Sequence, residues 1–146
     1  MRKRPMPAAA SVLIVVLLLL AAASVGAFPG EPDGYNGIPW GTPLESLTSM
    51  EYAGPGKDSP GTALYRRVTD DLTFGKARLT RIEYGFVAGR LTAVTLKVDS
   101  LLQYLLMKEE AVRRFGPGTE ADPRAERLIW EGDSTTIRLV SAFDLS

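Results

Sequence analysis

The sequence predicts an α+β domain in which two helices pack on one face of a four- or five-stranded antiparallel sheet. Two stretches, 79–98 and 127–141, alternate apolar and polar residues with a period of two, which is typical of strands buried on one face. Two other stretches, beginning at Thr42 and at Ser100, carry helix-start signals. Together these patterns indicate one small domain rather than a repeat array or a disordered chain.

The chain opens with a sequence typical of an export signal. Three basic residues at 2–4 precede an apolar run over 8–23, and a small-residue Val-x-Ala site ends at Ala27. We therefore expect residues 1–27 to be a signal peptide that is cleaved after Ala27. The alternative is an uncleaved membrane anchor, because the run with its small-residue end is about 20 residues long, roughly the span of a bilayer.

The composition of the remaining chain excludes several classes of function. Removing the three basic residues of the signal leaves 14 Lys and Arg against 17 Asp and Glu, a net charge of −3. Such a dispersed, mildly acidic balance is not typical of a nucleic-acid-binding protein. The sequence contains no cysteine and no histidine, which excludes disulfides, thiol or imidazole catalysis and the usual zinc ligands. We expect no cofactor and no metal.

The first part of the mature chain should be a flexible lead-in followed by a short helix. Residues 28–36 are rich in proline, glycine and polar side chains, and the folded domain should cover 37–146. Thr42, Pro43 and Glu45 match an N-cap, a first helical residue and the third position of a capping box. This helix should end before the Gly-Pro-Gly sequence that follows it.

The most strongly patterned element is a hairpin over 79–98, preceded by a strand over 63–68. Gly89 provides a residue that tolerates the positive φ of a tight turn. One face of the hairpin is apolar and should be buried: Ile82, Tyr84, Phe86, Val94, Leu96 and Val98. The other face is polar and should be exposed: Arg81, Glu83, Thr95 and Lys97.

The second helix should begin at Ser100, which forms a capping box with Gln103, and end before Gly116. Its predicted buried stripe is mostly leucine: Leu101, Leu102, Leu105, Leu106, Val112 and Phe115. If that stripe faces the sheet, Leu105→Asp should unfold the domain. A second hairpin should follow over 127–131 and 135–141, with Trp130 in its core or at an interface.

The helix, the Gly-Pro-Gly sequence and the strand after it recur with an offset of 62 residues, at 54–56 and at 116–118. This recurrence indicates either a tandem structural repeat or chance in a chain rich in glycine and proline. The sequence alone leaves both interpretations open.

Aromatic residues are the candidate binding surface: Trp40, Tyr35 and Tyr65, with Tyr52 as a further exposed aromatic. Trp40 lies just before the expected helix N-cap, where an aromatic usually packs onto the core. We favour that interpretation, a hydrophobic plug, over a stacking platform for a ligand.

Carboxylates are the acid–base groups that remain when a chain has no histidine and no cysteine. Asp58, Asp70 and Asp71 suit a calcium site or a general acid and base. Adjacent aspartates between strands are more often turn formers whose side chains bond the nearby backbone, and we favour that interpretation. We therefore predict no catalytic residue.

Four segments of the mature chain resemble a group of small uncharacterised bacterial envelope proteins. They are Gly37-Ile-Pro-Trp-Gly-Thr-Pro-Leu44, Ile82-x-Tyr-Gly-Phe-x-x-Gly-Arg-Leu91, Arg114-Phe-Gly-Pro117 and Leu128-Ile-Trp130. The resemblance covers about 37–140. It implies export and a small domain, and it brings no established catalytic residues.

More distantly, the layout looks like the small lipoprotein of the outer-membrane β-barrel assembly machinery and the β-lactamase-inhibitor proteins built from a tandem repeat. This chain lacks the lipid-bearing cysteine of the first group and the disulfides of the second. The similarity therefore implies a fold-level analogy alone.

The sequence as a whole predicts a periplasmic or secreted protein that is not an enzyme. We expect a binding or envelope-assembly module whose partner is another envelope protein, with membrane contact only through an uncleaved N-terminal segment. The first alternative is a proteinaceous inhibitor of a secreted hydrolase, based on the possible tandem repeat. The second is a carboxylate-dependent hydrolase that uses Asp58, Asp70 and Asp71.

Overall fold

The computed structural model describes residues 11–19, 27–57, 60–122 and 127–143. The strands of these residues are β1 (Ser11–Leu19), β2 (Gly34–Tyr35), β3 (Ile38–Pro39), β4 (Met50–Pro55), β5 (Thr62–Arg67), β6 (Thr73–Phe74), β7 (Ala77–Arg78), β8 (Arg81–Val87), β9 (Arg90–Val98), β10 (Thr119–Asp122), β11 (Arg127–Glu131) and β12 (Thr135–Phe143). The described residues also contain one α-helix, α1 (Leu101–Phe115), and one 3-10 turn, Leu44–Ser46.

One antiparallel sheet dominates the structure, and its eight strands lie in the order β10-β11-β12-β1-β9-β8-β5-β4. The short pairs β2–β3 and β6–β7 form separate hairpins. The predicted fold class is therefore wrong. The described chain is mostly β with a single α-helix, instead of an α+β domain with two helices on a four- or five-stranded sheet.

The hairpin at the centre of the prediction is confirmed as β8 and β9. Ile82 pairs with Leu96 and Tyr84 with Val94, and all six predicted apolar residues are at most 2% exposed. Two consecutive turn residues, Ala88 and Gly89, take positive φ values of 50° and 74°, as tight hairpin turns require. The pattern of period two was a reliable guide here because one face meets the core.

The polar face of this hairpin is less exposed than predicted. Glu83 is only 6% exposed. Its carboxylate lies 3.2 Å from Arg81 Nη1 and 3.1 Å from Lys97 Nζ. Two basic neighbours on the same face therefore cover and pair the carboxylate, and the expectation that Glu83 is exposed was wrong.

The predicted first helix is also wrong, because its backbone groups are used elsewhere. A 3-10 turn, Leu44–Ser46, leads directly into β4. The Thr42 hydroxyl donates to the Pro39 carbonyl at 2.6 Å instead of capping a helix. The Thr42 carbonyl accepts from Leu91 N–H at 3.0 Å, so it is not free for the i to i+4 bond of a helix. Pairing with the β8–β9 hairpin overrides the local capping signal.

The ends of α1 agree with the sequence prediction. Ser100 Oγ accepts from Gln103 N–H at 3.3 Å, and Gly116 closes the helix with a φ of 81°. The Gln103 side chain does not return the bond to Ser100, because its Oε1 accepts from Arg78 N–H at 2.6 Å. Ser100 and Gln103 thus form one of the two hydrogen bonds of a capping box. The Gln103 side chain, which would form the second one, joins α1 to β7 instead.

The buried face of α1 differs from the predicted leucine stripe. Its buried residues are Tyr104, Met107, Glu110, Ala111 and Phe115. Leu101, Leu102 and Leu105 are 57%, 63% and 49% exposed, and Val112 is 37% exposed. Of the predicted stripe, Phe115 alone is fully buried, and its ring meets Phe28 and Trp130 at centroid distances of 5.9 and 6.1 Å. These edge-to-face contacts fix the rotation of the helix about its axis.

The segment predicted as a flexible lead-in, 28–36, is bound to the turn between β11 and β12. Glu31 Oε2 accepts from Ser134 N–H at 2.7 Å and from Thr135 N–H at 2.9 Å, and Oε1 accepts from Asp133 N–H at 3.2 Å. Thr135 Oγ1 donates to the Pro32 carbonyl at 2.8 Å. We call residues 28–40 the N-terminal strap, because this segment ties the β11–β12 turn to the rest of the chain.

The second predicted hairpin is confirmed as β11 and β12, with Trp130 paired to Ile137 and buried in the core. Strand β10 lies between α1 and this hairpin, in a segment for which no element was predicted. The predicted repeat has no structural counterpart, because 54–56 ends a strand whereas 116–118 follows a helix.

The apolar run of the predicted signal peptide supplies β1, between β12 and β9. Leu17, for example, is the register partner of both Ile137 and Val94. The rest of the predicted signal, 1–10 and 20–26, lies outside the described residues.

Replacing Leu105 by aspartate should now have little effect on folding, in contrast to the expectation from sequence. We expect Leu105→Asp to lower the free energy of unfolding by about 1 kcal/mol or less, since the side chain is half exposed. Met107→Asp, two residues away and fully buried, should lower it by at least about 3 kcal/mol. Urea unfolding of both variants measures the difference, and equal losses would contradict the helix orientation.

The Glu31 contacts should make stability depend on pH. Burial raises the pKa of Glu31, but the N–H groups of Ser134, Thr135 and Asp133 and the Ser134 hydroxyl outweigh it and lower the pKa below 4.5. Because the pKa is lower in the folded state, this stabilisation is present above about pH 4.5 and is lost as the pH falls through the folded value.

Glu31→Gln should therefore lower the free energy of unfolding by roughly 1–2 kcal/mol at neutral pH. The difference from the wild type should shrink as the pH falls below about 4.5 and through the lowered pKa of folded Glu31. Denaturant unfolding over that range measures it, with the exposed Glu45→Gln as the matched control. A difference that is constant with pH would contradict the assignment.

Candidate functional site

A polar cleft lies where the β2–β3 turn, the end of β5 and the C-terminal part of α1 meet. Its volume is about 430 Å³, and its lining is mostly polar or charged: Tyr35, Asn36, Arg67, Thr69, Asp70, Asp71, Thr73, Gly75 and Arg114. Tyr35 is thus the one predicted binding residue that the structure places in this cleft. We refer to the cleft lined by these residues as the polar cleft.

Asp70 forms the floor of the polar cleft, with a side chain only 3% exposed. Its Oδ1 accepts from Arg67 Nε at 2.7 Å, and its Oδ2 accepts from the Tyr84 hydroxyl at 2.6 Å. Asn36 Nδ2 donates to the same hydroxyl at 3.3 Å. Both carboxylate oxygens are therefore engaged, and Asp70 joins a core tyrosine to a surface arginine instead of acting only as a turn former.

The phenols next to Asp70 are held in their neutral form. Burial, together with the hydrogen bond to Asp70, raises the pKa of Tyr84 far above its ordinary value of 10. Burial also raises the pKa of Tyr35 to about 12, although the charge of Arg114 acts in the opposite direction. At neutral pH both phenols therefore keep their proton and are not nucleophiles, and the Tyr84 hydroxyl donates to Asp70.

The opposite wall of the polar cleft depends on Glu110 of α1, which is buried. Hydrogen bonds from Arg113 and Arg114 lower the pKa of Glu110 against the effect of its burial. The guanidinium of Arg114 also lies over the Phe74 ring, 4.3 Å from its centroid. Gly75 has a φ of 61°, and a Cβ there would come within 2.5 Å of the Glu110 carboxylate. Glycine is therefore required for the close approach of this wall.

The other two predicted binding residues lie in different surroundings. Trp40 is partly buried against the core, and its Nε1 donates to Thr135 Oγ1 at 2.8 Å. This placement agrees with the plug interpretation. Tyr65 packs edge-to-face between Tyr52 and Phe86, with both centroid distances 5.5 Å. The structure does not bring Trp40, Tyr35 and Tyr65 onto one surface.

The remaining predicted carboxylates offer no joint site. Asp71 is exposed and accepts a hydrogen bond from Thr73 Oγ1 at 3.3 Å, whereas Asp58 lies outside the described residues. In the part of the chain that the structure describes, no three histidine, cysteine or acidic residues gather as metal ligands would. The chemistry of the polar cleft is thus hydrogen bonding by residues that already pair with one another.

Sequence reasoning missed a second candidate surface, on the outward side of α1. Leu101, Leu102 and Leu105 are all about half exposed or more, and we call these three residues the leucine face. Three such side chains within five residues are unusual on a solvated helix, where apolar residues normally occur singly. The sequence pattern identified these three leucines as one helix face, but it predicted that this face is buried in the core.

Comparison with known proteins supplies no assignment for these surfaces. No protein-family model matches the chain, and neither a curated protein nor a solved structure matches it. Among the described residues, no helix is both long enough and apolar enough to cross a membrane.

Tyr35, which lines the polar cleft, and Tyr84, whose hydroxyl binds Asp70, provide a direct test of the electrostatics of the cleft. Tyr35→Phe should leave the phenolate absorbance unchanged up to about pH 11 and remove amplitude only nearer pH 12. Because the pKa of Tyr84 is raised in the folded state, its contribution to stability is complete below pH 10 and is lost as the pH rises through the folded value.

Alkaline titration of the wild type, Tyr35→Phe and Tyr84→Phe measures these amplitudes. Tyr52→Phe, which removes an exposed phenol, gives the reference amplitude of one tyrosine. Loss of amplitude below about pH 11 in Tyr35→Phe would show that the polar cleft is open to water at that residue.

Proposed function

We propose that this chain is an exported, non-enzymatic binding or envelope-assembly module whose leucine face binds another envelope protein. In this proposal residues 1–27 are a signal peptide cleaved after Ala27, and the mature protein is periplasmic or secreted. The observation that carries the proposal is the exposure of Leu101, Leu102 and Leu105 on a helix whose other face is buried.

The energetics of α1 support a protein contact at this face. Complete burial of an exposed leucine is worth roughly 1.5–3 kcal/mol. These three are about half exposed, so covering the surface that still faces water contributes a smaller but favourable amount from each. The helix is already held to its own sheet by Tyr104, Met107 and Phe115. It can therefore present the leucine face as a rigid surface without unfolding, which lowers the entropic cost of binding.

The shape and charge around the leucine face favour a protein groove over a lipid surface. Its flanks carry both signs of charge, with exposed Asp99 and Glu109 as well as exposed Arg113. Helices that lie on membranes are instead rich in lysine and arginine along their polar side. A convex helix face with leucines at i, i+1 and i+4 fits the recognition mode in which one helix occupies an apolar groove of its partner.

The two alternatives drawn from the sequence have less support. The inhibitor proposal rested on a tandem repeat that the fold does not contain. The hydrolase proposal rested on three aspartates, of which Asp70 is paired at both oxygens. We therefore retain the binding module as the proposal.

Site-specific photocrosslinking tests this function. A photoreactive residue at Leu102 should give one reproducible adduct with an envelope protein in bacterial cells. The same residue at Val68, an equally exposed apolar position at the end of β5, should not give it. Leu105→Glu should suppress the adduct by weakening the contact, whereas Val68→Glu should leave it unchanged.

Two outcomes would overturn the proposal. One is a pattern of adducts that is the same from Leu102 and from Val68, which would indicate nonspecific contact. The other is an adduct with a second copy of this chain alone, which would make the leucine face a self-association surface.

A further inference from the structure

Among the described residues, the two halves of the main sheet are hydrogen-bonded to each other as strands only through β1. Strand β1 pairs antiparallel with β9 on one side and with β12 on the other. Strands β9 and β12 therefore run parallel to each other, two strand spacings apart, which is roughly 9–10 Å. We call the position between them the sheet slot.

The residues that fill the sheet slot are those expected to leave the protein. Strand β1, Ser11–Leu19, lies inside the predicted signal peptide. Cleavage after Ala27 removes it, and the facing edges of β9 and β12 then lose the backbone partners that β1 provides. Unpaired strand edges of this kind are templates for another strand.

The two edges of the sheet slot define the pattern of a suitable occupant. At the levels of Leu13, Val15 and Leu17, the register partners are mainly buried apolar residues: Val94, Leu96, Val98, Ile137 and Leu139. At the levels of Ile14, Val16 and Leu18, they are largely polar: Thr95, Lys97, Thr136 and Arg138. One side of the sheet slot is therefore apolar. On the other side Lys97 already pairs with Glu83, so Arg138 and the buried Thr136 hydroxyl are the groups that favour an acidic or hydrogen-bonding occupant.

Strand β1 does not match this pattern. Its sequence after Ser11 is apolar at every position, so it offers no polar group at alternate levels. The Thr136 hydroxyl is buried and has no hydrogen-bond partner among the described residues. Leu18 is the register partner of Thr136 on β1. A buried hydroxyl without a partner is unfavourable, and a polar residue at that level would correct it.

We propose that, in the mature chain, the sheet slot binds an extended segment of a partner protein with alternating apolar and polar residues, antiparallel to β9 and β12. The inference rests on the proposed export and cleavage. The segment places apolar side chains at the levels of Leu13, Val15 and Leu17. It places hydroxyl or acidic side chains at the levels of Ile14, Val16 and Leu18, beside Lys97, Arg138 and Thr136. Hydrogen bonds to two strand edges at once give the affinity, and the alternation gives the specificity.

Direct closure of β9 onto β12 is the competing arrangement, and introduced cysteine pairs distinguish it. The chain has no cysteine of its own, so a double variant reports one distance. Thr95 and Arg138 are both register partners of Val16. Across the open slot, Thr95→Cys and Arg138→Cys are too far apart for a disulfide, which needs a Cα separation below about 7 Å.

The experiment uses the processed protein, purified after expression of the full chain. Intact mass shows whether the chain begins at Phe28. We expect no disulfide in the Thr95→Cys, Arg138→Cys variant. The control variant Ile129→Cys, Arg138→Cys, whose positions are direct register partners, should form one. A disulfide in the first variant shows that β9 and β12 have closed, and it overturns the inference.

Peptide binding to the same processed protein tests the occupant. The probe is the nine-residue sequence of β1 with Val12→Thr, Ile14→Glu, Val16→Glu and Leu18→Thr. The control peptide has the same composition, with its four introduced polar residues moved to the levels of Leu13, Val15, Leu17 and Leu19. We expect the probe to bind at least about tenfold more tightly than the control and to raise the melting temperature, because a one-residue shift exchanges the two faces.

Failure of the inference and failure of the proposed function give different results. Equal binding or no binding of the two peptides by a processed protein overturns the inference and leaves export intact. A purified protein that retains residues 1–27 overturns the proposed cleavage, and because β1 then stays in place, it overturns this inference as well.

Discussion

The one-sided apolar surface of the β8–β9 hairpin is the constraint on which the rest of the structure depends. A two-stranded hairpin is marginal alone in water, and here its six inward residues are almost completely buried. Strand β5 extends the sheet on one side, α1 joins the same core, and the backbone next to Thr42 pairs with the hairpin turn. Even the polar cleft is linked to this surface, because the inward residue Tyr84 ends in the hydroxyl that binds Asp70.

Local features of the fold were predictable from the sequence, whereas orientations were not. Both hairpins and the two ends of α1 follow from short-range signals, namely period-two alternation, Ser100 as an N-cap and Gly116 as a stop. The buried face of α1 does not follow from such signals. Hydrophobicity favoured the leucines, but aromatic contacts of Phe115 with Phe28 and Trp130 rotate the helix towards Tyr104 and Met107. The capping sequence at Thr42 failed for a similar reason, since its carbonyl pairs with Leu91.

At the candidate site, too, local features were predictable from the sequence, whereas contacts between distant residues were not. Asp70 was noticed as an acidic turn residue, yet its partner Tyr84 lies 14 positions away on the face assigned to the core. Three carboxylates that sequence patterns place on the surface, Glu83, Asp70 and Glu110, are nearly buried and paired with arginine or lysine. Such pairs are weak sources of net stability. The pairs of Glu110 lie within α1 and those of Glu83 within the β8–β9 hairpin, whereas Asp70 joins the end of β5 to β8 through the Tyr84 hydroxyl.

The contacts of Glu31 impose an order on folding. They join Glu31 to residues 133–135, positions that are 102 to 104 residues apart. Contacts of such long sequence separation form late, because a large loop must close before they contribute. The N-terminal strap is synthesised first but can dock only when the last hairpin exists. The long-range contacts of the strap are therefore completed only after the C-terminal strands have been synthesised.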